Sequence, residues 1–225
     1  MVTLFCHIGL GDLILLSGAI VRLVECHGQL RIFCYEHHLE SVRSFFADYP
    51  GVVPVAVPRN CPGPYGVPDE SILPDPFHQI RSGFYLSRQE RRDLSFPEVF
   101  YSQLGFDYAV RWDACPIEKA VGRVAQAKTD LKLFVHDCPA RGYHIVSRGI
   151  GERDVYRPFE DGGSILQFVD ILRRAHEIHC IDSSFYHLIE SLAGITAALY
   201  YHRYARPYKP GWFDYPRRYD WAVLP

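Results

Sequence analysis

The sequence predicts an α/β fold made of two small halves, each built on a parallel sheet, that face each other across a cleft. Apolar runs of strand length alternate with amphipathic segments of helical length through most of the 225 residues, an order that is typical of parallel sheets. The alternation pauses at Trp112-Asp113-Ala114-Cys115-Pro116 and then resumes. We therefore predict an N-terminal half of residues 1–115 and a C-terminal half of residues 116–225.

The composition predicts a folded, soluble protein of the cytoplasm. Hydrophobic residues make up 48% of the chain and charged residues 22%, which favours a real core over disorder. Lys and Arg number 24 against 26 Asp and Glu, so the net charge of −2 excludes a broad nucleic-acid surface. The 7 cysteines form no Cys-x-x-Cys pair, and their odd number is typical of reduced thiols. The apolar start, residues 1–8, is too short for a signal peptide or a transmembrane segment.

The N-terminal half follows a β-α-β-α-β order and then continues into a long loop and a helix. We predict strands at residues 2–8, 30–34 and 52–57, and helices at residues 13–24, 41–46 and 96–104. The first helix starts after Gly9-Leu10-Gly11-Asp12, keeps its apolar residues on one face and ends at Gly28. Residues 58–76 are rich in proline and glycine and too long for an ordinary connection, so we expect a functional loop there.

The C-terminal half repeats the alternation. We predict strands at residues 131–136, 143–146, 177–181 and 196–201, helices at residues 117–127, 165–174 and 184–193, and loops at residues 137–142 and 147–163. The tail, residues 200–221, is crowded with aromatic rings, which predicts that it packs back over the fold. Its basic residues leave the alternative that it offers guanidinium groups to phosphate. They are Arg203, Arg206, Lys209, Arg217 and Arg218, against Asp214 and Asp220.

The junction at residues 178–193 carries the main functional signal. An apolar run that predicts the end of a buried strand leads into Asp182-Ser183-Ser184, residue types that cap helices, and apolar residues then recur at helical spacing. Such a junction directs free backbone N–H groups outward at the carboxyl edge of a sheet. In an open α/β fold that edge binds phosphates and sugars.

Two segments together resemble the bacterial heptosyltransferases, glycosyltransferases of the GT-B fold with two Rossmann-like domains. Asp182-Ser183-Ser184-Phe185-Tyr186-His187 has the spacing of the family's Asp-x-Gly-x-x-His segment, which contacts the nucleotide-sugar donor, with Ser184 at the position of the glycine. Gly11-Asp12 opens the first helix as the family's Gly-Asp does. The resemblance implies that Asp12 is the catalytic base and that Asp182, Ser183, Ser184 and His187 bind the donor. Arg141 would replace the family's lysine as the cation that faces the diphosphate.

Glycosyl transfer needs a base for the acceptor hydroxyl and stabilisation of the charge on the departing diphosphate. Asp12 follows two glycines at a helix start, where it suits an acceptor hydroxyl better than a phosphate, although a plain helix cap is an equal alternative. We place His7, Gly9, Gly11 and Asp137 in the loops near the substrate.

Several arginines follow predicted strands of the C-terminal half and face the same sheet edge. Asp137 and Arg141 flank one loop, where a ligand contact and a simple Asp–Arg turn pair are nearly equal alternatives. Arg148, Arg153 and Arg157 lie on the next loop, within reach of a diphosphate or simply solvated.

Other chemistries fit the sequence less well. Gly9-x-Gly11 lacks the third glycine of the dinucleotide fingerprint, although Glu36 ends the second strand as a ribose ligand would. The pair His176-x-x-His179 would point to opposite faces of a strand, which argues against zinc. Asp182, Ser183 and His187 lack the Gly-x-Ser-x-Gly elbow of an esterase.

We therefore predict a metal-independent glycosyltransferase of carbohydrate biosynthesis. It would use a nucleotide sugar as co-substrate, require no further cofactor, and have a carbohydrate or glycan as acceptor. A nucleotide- or sugar-binding protein without turnover and a nucleotide-sugar epimerase remain the alternatives.

Overall fold

The computed structural model describes residues 1–58, 79–84, 93–126, 133–145, 155–158, 163–206 and 215–225. Its strands are β1 Val2–Phe5, β2 Leu30–Tyr35, β3 Val52–Val57, β4 Gln79–Arg81, β5 Leu133–His136, β6 Val155–Tyr156, β7 Glu177–Cys180, β8 Ala198–His202 and β9 Ala222–Leu224. Its α-helices are α1 Leu10–Leu15, α2 Ser17–His27, α3 Leu39–Phe45, α4 Phe96–Gln103, α5 Val110–Asp113, α6 Ile117–Val121, α7 Val169–Arg174 and α8 Ser184–Ser191. Short 3-10 turns cover Glu36–His38, Pro139–Arg141 and Ile165–Phe168. Most of the predicted loop 58–76, together with Arg148, Arg153, Lys209 and Asp214, lies outside the described residues.

Two parallel sheets form the framework, which confirms the predicted fold class. The first sheet has the order β3-β2-β1-β4 and the second β6-β5-β7-β8-β9, and every neighbouring pair of strands is parallel. The first sheet uses residues between 2 and 81, and the second uses residues between 133 and 224. The boundary at residue 115 stays a prediction, since both sheets lie well away from it.

In the first half, the structure differs from the prediction by a break in the first helix and by two short unpredicted elements, β4 and α5. The predicted first helix is interrupted at Leu16, and the hydroxyl of Tyr101 donates a 2.6 Å hydrogen bond to the carbonyl of Leu15 at this break. A side chain that takes a backbone carbonyl in this way is a known cause of helix kinks. Strand β4 was not predicted, because three residues give too short a pattern to recognise.

In the second half, the predicted strand at residues 143–146 is wrong over its described part. Tyr143 instead forms an isolated antiparallel bridge with Cys138, which closes a tight turn. The strand that pairs with β5 on this side is β6, inside the predicted loop 147–163. The tail packs over the fold as the aromatic pattern predicts, since Tyr215 and Trp221 are buried, and its end adds β9 to the sheet.

One hydrophobic core joins the two sheets. Buried side chains of the first sheet, such as Leu4 and Ile32, belong to the same cluster as Phe134 and Ile178 of the second, and every helix named above contributes to it or packs against it. The halves are therefore held together by a shared layer of helices. No helix in the described part of the chain is long and apolar enough to cross a membrane.

Glycines allow close approaches within this layer. A Cβ built at Gly18 of α2 would stand 2.2 Å from the carbonyl oxygen of Val110, at the start of α5. A Cβ at Gly122, after α6, meets nothing within 4 Å, and this residue has a helical φ of −63°.

The substitution Gly18→Ala is expected to lower the free energy of unfolding by about 1–3 kcal/mol, because the new methyl group overlaps backbone that cannot move away cheaply. Gly122→Ala is the matched control and is expected to be neutral or slightly stabilising. Urea denaturation of both variants measures the difference. Equal stabilities for the two variants would contradict the close packing of α2 on α5.

Candidate functional site

The predicted site residues follow the carboxyl ends of strands in both sheets, and Gly11, Ser184 and His187 meet where α1 packs on α8. A Cβ at Gly11 would lie 3.1 Å from Cδ2 of His187 and 3.4 Å from the backbone nitrogen of Ser184. The missing side chain at Gly11 thus lets the two helix starts touch. As a result, Asp12 from the first half lies beside Asp182 and His187 from the second, close enough for their charges to act on one another.

Asp12 is partly buried in this crevice, and its pKa is raised above the ordinary value of 3.8. Burial is the main cause, and the charge of Asp182 adds to it, whereas His7, His187 and Arg206 oppose it. A carboxylate with a raised pKa takes up a proton more readily near neutral pH, as a general base must.

The helix-cap interpretation of Asp12 finds little support. The N-cap position of α1 is Gly9, and no side chain caps this helix. A Cβ at Gly9 would stand 2.7 Å from Oδ2 of Asp12, so the carboxyl group lies over Gly9. The glycine therefore leaves room for the position that Asp12 occupies.

Asp182 is held from two sides. Nε2 of His187 lies 3.3 Å from its Oδ1, and Nη1 of Arg206 lies 3.5 Å from its Oδ2. The same guanidinium group donates to the backbone carbonyl of Asp182. One basic residue of the predicted tail therefore reaches Asp182, whereas phosphate binding by the tail stays a prediction.

Ser183 and Ser184 begin α8 as predicted. Ser183 is the N-cap, and its hydroxyl accepts a hydrogen bond from the backbone nitrogen of Tyr186 at 3.5 Å. The same hydroxyl hydrogen-bonds to Nδ1 of His136, at the end of β5, over 2.9 Å. Burial lowers the pKa of His136 to about 4, against a small opposing effect of Asp137, so the ring is neutral near pH 7.

Asp137 and Arg141 do not pair with each other. Oδ2 of Asp137 accepts from the backbone nitrogen of Ile145 at 3.0 Å, and Oδ1 forms a 2.8 Å ion pair with Arg157. The guanidinium group of Arg141 is exposed and lies 5.6 Å from the ring centre of Tyr143. The carboxyl group of Asp137 thus orders its own loop, and donor binding by Arg141 stays a prediction.

His7 is anchored at the other side of Asp12. Its Nε2 donates a 3.2 Å hydrogen bond to the carbonyl of Gly83, which fixes the proton on that nitrogen. The ring stacks on Phe84 with 5.3 Å between centroids and meets Phe96 and Phe100 edge-on. These contacts fix the orientation of His7 at the carboxyl end of β1.

Two buried charged residues behind the site were missed by sequence reasoning. Arg111 is fully buried and donates to Nδ1 of His187 over 3.4 Å. Glu190 is also fully buried, and its carboxylate accepts from Nε1 of Trp221 at 2.8 Å and from the backbone nitrogen of Arg218 at 2.7 Å. Neither residue stands in a recognisable motif. The only sequence feature that pointed to these contacts was the aromatic tail, which contains Trp221.

A small cavity of about 50 Å³ lies between the halves next to the site. Leu10 and His38 line it from one side, and Gln167, Ser184 and Phe185 from the other. A space of this size holds a few water molecules. A larger surface hollow of about 570 Å³, beside Arg43 and Arg123, contains none of the predicted site residues.

The described residues contain no group of three or more His, Cys, Asp or Glu side chains arranged to hold a metal ion. His176 is exposed and His179 is buried, so the two side chains lie in different environments. His179 instead hydrogen-bonds through Nδ1 to Nε2 of His202 over 2.8 Å.

Comparison with known proteins adds one structural likeness. No family model and no curated protein matches the sequence. A solved structure of the Escherichia coli heptosyltransferase WaaC with ADP aligns over 90% of this chain and 87% of the other, with 11% identity and a TM-score of 0.44.

Acid is expected to destabilise the fold through His136. The pKa of His136 is about 4 in the folded state and an ordinary 6.5 in the unfolded state. Its contribution to the free energy of unfolding is therefore complete above pH 6.5 and is lost as the pH falls toward 4. Each pH unit in this window removes up to about 1.4 kcal/mol. In urea denaturation at a series of pH values, the free energy of unfolding of His136→Gln should fall less with decreasing pH than that of the wild type. The exposed His144→Gln is the control, and equal slopes for all three proteins would contradict the assignment.

Proposed function

We propose that the protein is a glycosyltransferase that moves a sugar from a nucleotide-sugar donor to a hydroxyl group of a carbohydrate acceptor. The observation that supports this most strongly is the carboxyl group of Asp12. It lies in the crevice between two parallel sheets, its pKa is raised by burial, and the preceding residue, Gly11, lies against the start of α8. Asp12 would thus act as a base near a helix start that suits a phosphate group.

In the proposed reaction, the Asp12 carboxylate takes the proton of the acceptor hydroxyl. The acceptor oxygen forms a bond to the anomeric carbon of the donor sugar. The bond between that carbon and the phosphate oxygen breaks, and its electron pair leaves with the nucleoside diphosphate. Asp12 then returns the proton to solvent.

The donor side would stabilise the charge that develops on the diphosphate. The first turn of α8 has backbone N–H groups without helical partners, and the hydroxyl of Ser184 lies at the same end. Arg206 is a nearby cation, already in contact with Asp182. We propose Asp182, Ser183, Ser184 and His187 as the donor-binding group, with the sugar directed toward Asp12.

A nucleotide- or sugar-binding protein without turnover is the second candidate. The start of α8 and Arg206 could hold such a ligand even if Asp12 did not act as a base, and the cavity of about 50 Å³ is far too small for a nucleotide in either case. A transferase of this structure needs the halves to part beside Ser184, or the donor to lie along the open edge of the second sheet. Product analysis separates the two, since only transfer releases nucleoside diphosphate together with a new glycoside.

The substitution Asp12→Asn should remove the base and keep the shape of the site. We expect the transfer rate kcat/KM to fall by about a hundredfold to ten-thousandfold, while the Kd for the nucleoside diphosphate changes by less than about threefold. Product release measured by chromatography gives the first quantity, and titration calorimetry gives the second.

The control is Asp48→Asn, which changes an exposed carboxylate that pairs with Arg123 on the surface. This variant should match the wild type in both measurements. If Asp12→Asn lost nucleotide binding as strongly as transfer, Asp12 would belong to the donor site and its assignment as base would be wrong.

A further inference from the structure

Arg111, on α5, is a buried cation directly behind the proposed site. Its Nη1 donates to the hydroxyl of Tyr108 over 2.5 Å, and its Nη2 donates to Nδ1 of His187 over 3.4 Å. The guanidinium carbon also lies 5.8 Å from the ring centre of Tyr108 and 5.7 Å from that of Trp112. The guanidinium group of Arg111 thus donates hydrogen bonds to a phenol and an imidazole rather than to a carboxylate.

Keeping this charge in the core is energetically costly. The side chain is fully buried, and among the described residues its Nε has no hydrogen-bond partner. Replacing a buried charged group with a hydrophobic one of similar volume is often neutral or stabilising. Packing alone therefore gives no reason for an arginine at this position. The charge of the buried Glu190 offsets part of the cost, and the contact with His187 connects Arg111 to the proposed site.

The chemistry of the contact fixes the tautomer of His187. A guanidinium group has five N–H donors and no acceptor, so Nδ1 of His187 must supply the lone pair. The ring proton then lies on Nε2, 3.3 Å from Oδ1 of Asp182. Arg111 therefore donates a hydrogen bond to His187, and the Nε2–H group of His187 faces the Asp182 carboxylate.

We propose that Arg111 is a positioning residue that holds His187 in its Nε2–H tautomer and, through it, orients the Asp182 carboxylate beside the start of α8. The consequence for the donor rests on the proposed function, whereas the tautomer of His187 does not. Nη1 of Arg206 lies 3.5 Å from the other oxygen of Asp182, so the carboxylate lies between two basic side chains from different parts of the chain.

The tautomer can be observed directly in the unmodified protein. With ¹⁵N-labelled histidine, a two-bond ¹H–¹⁵N correlation spectrum near neutral pH distinguishes the two ring nitrogens, and His187→Gln identifies the signals of His187. We expect a protonated Nε2 and an unprotonated Nδ1. A proton on Nδ1, in either the other tautomer or the imidazolium form, would overturn the proposal, because His187 would then offer no acceptor to Nη2 of Arg111.

Variants test whether Arg111 is the donor. In Arg111→Met, the Nδ1 signal should move away from its hydrogen-bonded position, and in Arg111→Lys, which keeps a cationic donor, it should move less. The exposed Arg22→Met is the matched control and should leave the spectrum unchanged. If Arg111→Met fails to fold, the Lys variant provides the comparison. A folded variant of Arg111 with an unchanged His187 spectrum would contradict the proposal.

Kinetics separate this role from the proposed function. If the wild type transfers sugar, Arg111→Met should raise the donor KM by about tenfold, in line with the usual cost of losing a residue that orients a ligand, with kcat changed by less than about threefold. An unchanged KM would refute the donor-side role. A wild type without transfer activity would refute the proposed function, while the spectrum would still decide the role of Arg111 at His187.

Discussion

The close approach of α1 and α8 is the constraint on which the rest of the structure depends. At Gly11 the helices are so near that a Cβ would lie 3.1 Å from the ring of His187. This contact joins the two sheets through one core and brings loops from the carboxyl ends of β1 and β7 together. Glycine is therefore needed at positions 9 and 11 because a side chain there would collide with a neighbour. A larger residue at Gly9 would displace Asp12, and one at Gly11 would displace His187.

The crevice holds two carboxyl groups in different electrostatic environments. Asp12 lies over Gly9 and is governed by burial, which raises its pKa. Asp182 faces Nε2 of His187 and pairs with Arg206. The raised pKa of Asp12 agrees with its proposed role as the group that takes up a proton.

Local sequence patterns predicted those parts of the fold that depend on residues adjacent in the sequence. The end of β7 and the Ser183 cap of α8 follow from an apolar run and a capping residue, and the structure has both. The break at Leu16 and the position of Arg111 depend on partners 86 and 76 residues away, which no local pattern contains. The strand predicted at 143–146 was wrong because Tyr143 pairs back to Cys138, a contact that competes with extension. Asp12 and His187 were predictable as candidates, but their shared environment was not.

The central claim is that residues of both halves form one site for a nucleotide sugar, and ligand-induced stabilisation tests it most directly. A ligand that binds only the folded state at a hundredfold excess over its Kd raises stability by about 2.7 kcal/mol. Unfolding should be measured with a panel of nucleoside diphosphates and their sugars, on the wild type and on Ser184→Ala. We predict stabilisation of the wild type by at least one of these ligands and a smaller effect in the variant. No stabilisation by any ligand of the panel, or an equal effect in both proteins, would contradict the central claim.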